Sequence, residues 1–103
     1  MVYMYRSVKS GQAEVATAGT PVSLDSSADP VQVARGTELQ IRADPANTGK
    51  VFLGGEGVSA TSGYVLDPGA EVSLKVKKVS TVMLDAENAG DSVSWLCSTE
   101  AGA

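Results

Sequence analysis

Residues 47–76, NTGKVFLGGEGVSATSGYVLDPGAEVSLKV, hold two runs with the period of two that a half-buried strand requires. Val51 and Leu53 share the side opposite Phe52, and Val72, Leu74 and Val76 alternate with Ser73 and Lys75. Between the runs lies a glycine-rich connection that ends in Asp67-Pro68-Gly69, where Pro68 presets φ and Gly69 suits the next turn position. The stretch predicts a β scaffold with a shaped loop, and none of its residues supplies catalytic chemistry.

Towards the N-terminus the same alternation recurs. Leu39, Ile41 and Ala43 oppose Glu38, Gln40 and Arg42, the cleanest amphipathic strand in the chain, and residues 44–49 form a tight loop joining it to Val51. Val31-Gln32-Val33 alternates as well. Residues 20–24 read as a short strand, which Pro21 assigns to an edge because proline cannot donate to a ladder. Residues 12–17 read as a weak strand, and residues 1–5 concentrate Val2, Tyr3, Met4 and Tyr5 in a chain with few aromatics.

Towards the C-terminus, residues 79–84 predict a strand, 85–91 an acidic connection and 92–98 a final strand with Val93, Trp95 and Cys97 on one face. Nowhere do apolar residues recur at helical spacing over three turns. The expected fold is all-β, a single antiparallel β-sandwich or small barrel of about seven to eight short strands. Its core is expected to include Val33, Leu39, Ile41, Val51, Leu53, Val72, Leu74, Val76, Val82, Leu84, Val93 and Trp95. Residues 1–20 are assigned to an N-terminal arm or edge segment, 21–98 to the sandwich, and 99–103 to a tail.

The chain has 103 residues, enough for one domain with a modest core. Its 43% apolar and 19% charged residues, with a net charge of −4, mark a soluble globular protein and not a disordered one. Eight Lys and Arg are scattered among twelve Asp and Glu, so the basic footprint needed to displace counterions from nucleic acid is missing. Lys75, Lys77 and Lys78 form the one local excess and suit protection of a strand edge. Residues 1–11 lack the apolar region of a signal peptide, and no apolar run approaches the roughly 20 residues of a membrane span. The expectation is synthesis in a host cytoplasm, with no membrane and no nucleic acid as partner.

The sequence contains no histidine, which removes His-assisted nucleophiles and His-ligated zinc. Cys97 is the single cysteine, so no intrachain disulfide forms, and its apolar neighbours predict a buried thiol. Asp85, Glu87 and Asp91 could offer oxygen ligands, but the spacing of a calcium loop is not met and a solvated acidic loop is the simpler reading. Gly54-Gly55-Glu56-Gly57 lacks the pattern of a phosphate loop. No cofactor, metal or enzymatic activity is therefore expected. Trp95 and Tyr64 could form a sugar-stacking platform, although Trp95 falls mid-strand, where a core role is favoured.

The order Asn47-Thr48-Gly49, Val51-Phe52-Leu53-Gly54-Gly55, Val58-Ser59, Gly63-Tyr64-Val65-Leu66 and Pro68-Gly69 resembles small β-sandwich structural proteins of tailed bacteriophages, of the capsid decoration or cement type. The resemblance covers residues 31–96. It implies a virion component on the capsid surface, with the major capsid protein as partner, and self-association, often as trimers. It transfers no catalytic or ligand residues. Contacts are expected from Val2, Tyr3, Met4, Tyr5 and Tyr64, with Tyr3 and Tyr5 as anchors because tyrosine offers a large amphipathic surface at low conformational cost. The alternatives are a tail or baseplate module and a carbohydrate-binding module.

Overall fold

The structure is a computed structural model that describes residues 6–100. Its eight strands are β1 (Arg6–Glu14), β2 (Val22–Ser23), β3 (Leu39–Ala43), β4 (Val51–Gly54), β5 (Tyr64–Leu66), β6 (Glu71–Leu74), β7 (Met83–Ala86) and β8 (Ser92–Glu100). They form two four-stranded antiparallel sheets, ordered β1-β8-β3-β6 and β2-β7-β4-β5. β1 pairs with β8, β2 with β7, β3 with β6 and β4 with β5. That nesting arises when one long antiparallel ribbon is rolled on itself, so this β-sandwich is a jelly roll. No helix among the described residues is long and apolar enough to cross a membrane.

The core lies between the sheets, where the alternating residues of each strand meet. Leu39, Ile41 and Ala43 on β3, Val51 and Leu53 on β4, Leu84 and Ala86 on β7, and Val93, Trp95 and Cys97 on β8 are all buried. Phe52 points to the opposite face from Val51 and Leu53, as the pleat requires, yet it too is buried. The connection between β4 and β5 folds back over it. Val58 is buried there, and a Cβ on Gly63 would lie 2.6 Å from that of Phe52. The following turn depends on Gly69, whose φ of +83° suits the third position of a type II turn closed by Ala70 N–H donating to Asp67 O at 2.9 Å.

Several elements depart from the expected boundaries. Residues 79–84 do not form one strand: Val79–Thr81 make a 3₁₀ turn, fastened by the Thr81 hydroxyl donating to Lys78 O at 2.7 Å, and β7 follows at Met83–Ala86. β7 therefore enters the stretch read as an acidic loop. Asp85 can be buried on its outer face because Gly19 N–H donates to Asp85 Oδ1 at 2.9 Å. Residues 31–33 make a single bridge, Gln32 opposite Lys78, in place of a strand. β1 begins at Arg6 and pairs residue for residue with β8 as far as Glu14, so residues 6–14 are an edge strand of the sheet. β8 runs on to Glu100, two residues past the end expected for the sandwich.

The loop at Asn47-Thr48-Gly49 fastens one end of the roll. The Asn47 amide exchanges two hydrogen bonds with the Ser92 backbone: Oδ1 accepts from Ser92 N–H and Nδ2 donates to Ser92 O, both at 2.9 Å. Asp91 is buried and accepts from Thr48 N–H and Thr48 Oγ1 on one oxygen and from Gly49 N–H on the other, at 3.0–3.2 Å.

A candidate contact groove at one open side

A sandwich of two open sheets has two sides where edge strands face each other without a covering layer. On one side, β6 ends its sheet and β5 ends the other. β6 has a half-buried and an exposed residue in alternation, and the half-buried set continues past its end: Val72, Leu74 and Val76. These three were expected in the core. They face inward as the periodicity requires and pack against the core, but the short β5 across from them leaves them only half-buried. With Ile41 and Leu53 as floor and Tyr64 on the rim they line a groove of about 440 Å³.

Tyr64 is 62% exposed although its register partner Leu53 is buried. The difference comes from its position on the outermost strand, where the inward side overhangs the groove. Val65, on the other face of β5, is 45% exposed. Lys75 and Lys77 alternate with Val76 and are exposed beside the same edge, which keeps that edge soluble without closing the apolar interior behind it. The candidate contacts Val2, Tyr3, Met4 and Tyr5 lie outside the described residues.

The other residues singled out for chemistry have structural surroundings. Trp95 is 6% exposed, so it offers no face on which a sugar could stack, and it packs at the β1 side of the sandwich, away from Tyr64. Its indole N–H is buried and has no hydrogen-bond partner among the described residues. Cys97 is buried, and desolvation, with a smaller contribution from the negative charge of Asp25, pushes its thiol pKa up. A thiol held in its protonated form is a poor nucleophile. Asp85 and Asp91 accept backbone N–H groups, and among the described residues no group of three acidic or cysteine side chains could hold a metal ion.

The groove was not legible as a site in the sequence, because Val72, Leu74 and Val76 carry the same alternation as a core strand. The one signal pointing to it was Tyr64, an aromatic beside a loop glycine. Comparison with protein-family models finds no matching family, and comparison with curated proteins finds no matching relative.

Proposed function

We propose that the protein is a non-enzymatic structural component of a virion, a capsid decoration (cement) protein that binds the outer surface of the major capsid protein and stabilises the joints between capsomers. The observation that carries this reading is the apolar groove between β5 and β6, with half-buried valines and leucine inside and Tyr64 at its lip. Such a surface works by shape and desolvation, and an exposed aromatic beside an apolar depression is the usual form of an interface anchor.

Two further features support it. The buried carboxylates of Asp85 and Asp91 are spent on backbone amides, which makes them structural. The jelly roll recurs in viral capsid domains, an analogy of fold that agrees with the resemblance of residues 31–96. Many copies, each binding weakly, would together hold a shell against heat. The sugar-binding alternative loses half of its stacking platform with the burial of Trp95.

Particles purified from the source test the proposal. They are expected to contain the protein in a copy number commensurate with the major capsid protein, and particles lacking it should fail at lower temperature. A few copies per particle would assign it to the tail or baseplate, and absence from particles would end the virion reading.

A further inference from the structure

We propose that two copies of this chain join along β1, their free edges pairing antiparallel about a two-fold axis at Ser10, so that one sheet runs through both molecules as β6-β3-β8-β1-β1-β8-β3-β6. The inference goes beyond the reading of the groove between β5 and β6 and does not rest on it, because that groove lies on the opposite open side.

Four strands end the two sheets, and three of them are short. β2 has two residues, β5 three and β6 four, whereas β1 has nine. A long free edge is a row of unpaired N–H and C=O groups open to another strand, and proteins that stay single blunt it with proline, a bulge or an inward-pointing charge. β1 contains no proline and pairs with β8 residue for residue, without a bulge. Its residues 7–10 are exposed. One blunting device is present: Lys9 shares the inward side of β1 with Gly11, at which a Cβ would meet Trp95.

Symmetry decides what faces that lysine. Residues directly opposite in an antiparallel pair point to the same side of the sheet. Two identical strands paired in this way are related by a two-fold axis normal to the sheet, which passes where one residue faces its own copy. All nine residues are paired only when that residue is Ser10, the middle of β1. Lys9 then lies opposite Gly11 of the second copy, the one position on the strand with no side chain to obstruct it. Gly11 borders a cleft of about 650 Å³ between β1 and β2, whose lining includes the carboxylates of Glu14 and Asp25 and no Lys or Arg. Lys9 borders Asp29 and Glu100 in its own chain, and across the axis its ammonium is carried over this second acidic lining. The charge that repels other strands is therefore complementary to a second copy of this one. On the outer side Val8, 67% exposed, gains Gln12 of the second copy as its cross-strand neighbour. The dimer holds its two grooves at the far edges of the shared sheet, which lets a surface with repeated sites be gripped twice.

The test uses full-length chains under mild oxidation, with native Cys97 buried. Opposite Cα atoms in such a ladder are about 4.5–5.5 Å apart, within the span of a disulfide. Ser10→Cys is expected to crosslink to its own copy. Val8→Cys alone is offset from its copy by four residues, about 14 Å along the strand, and should stay uncrosslinked, whereas a mixture of Val8→Cys and Gln12→Cys chains should join. Sedimentation should show the unmodified chain as a dimer, and Lys9→Glu should raise the dissociation constant about tenfold or more with the β circular dichroism unchanged.

The proposal is overturned if the unmodified chain is monomeric, if Ser10→Cys does not crosslink, if Val8→Cys crosslinks to itself as readily, or if Lys9→Glu dimerises as tightly as the parent. A dimer of this register that is absent from particles would remove the virion reading and leave the pairing standing. A protein abundant on particles but monomeric would do the reverse.

Discussion

The indole of Trp95 lies against the backbone of Gly11, its antiparallel partner across β1 and β8: a Cβ at Gly11 would come within 2.7 Å of Trp95 Cζ2. The ring fills the space that a side chain on β1 would have taken. Gly11→Ala is therefore expected to destabilise the fold by about 1–3 kcal/mol, the usual cost of overpacking. Urea unfolding followed by Trp95 fluorescence measures it. An unchanged midpoint would mean that the ring is free to move aside.

Leu39 and Leu74 are directly opposite on β3 and β6, yet Leu39 is fully buried and Leu74 is half-buried at the groove. Leu39→Ala should cost about 2–5 kcal/mol. Leu74→Ala should cost clearly less, because water already reaches its side chain. Equal losses in thermal or urea unfolding would contradict the open groove.

Asp91 accepts three hydrogen bonds from Thr48 and Gly49. Asp91→Ala leaves those donors without a partner, and each buried donor so orphaned costs about 1–3 kcal/mol. Faster hydrogen exchange at the amides of Thr48 and Gly49 should accompany the loss of stability. Retained protection there would show that the loop is held by other contacts.

The Asp25 carboxylate accepts from the Ser27 hydroxyl at 2.6 Å and from Val31 N–H at 2.8 Å. The Ser27 side chain first, then the Val31 amide, lower its pKa below 3.8. A pKa lowered on folding contributes stability that is present above the unfolded value, near pH 4, and is lost as pH falls through the folded value. Between pH 5 and pH 2, Asp25→Asn should therefore lose less stability than the parent chain in urea titrations at each pH. Parallel pH profiles would remove this carboxylate from the account.

Strands with one apolar and one polar face were legible in the sequence. The alternation of β3 became a buried, exposed, buried row, and Trp95 and Cys97 took the inward side of β8 beside Val93. β1 was harder to read because its inward side is nearly empty. Gly11 has no side chain because Trp95 occupies the room, and that information sits in the partner strand. Residues 82–86 misled for another reason: a loop covers the outer side of β7, so Met83 and Asp85 need not look like a solvated face. Periodicity likewise identified the inward side of β6 but not whether another layer would face it, and the groove depends on that.

The rolled ribbon sets the order in which the protein can be made. β8 lies between β1 and β3 in its sheet but is the last of the eight strands to leave the ribosome. Until it emerges, β1 has no neighbour and one edge of β3 is bare, so half of the sandwich must wait for a closure spanning most of the chain. Such closures are slow and leave strand edges open to wrong pairing meanwhile. The polar side chains of β1, Ser7, Lys9, Ser10 and Gln12, are well suited to that interval. They keep the first strand in solution while it waits for the eighth.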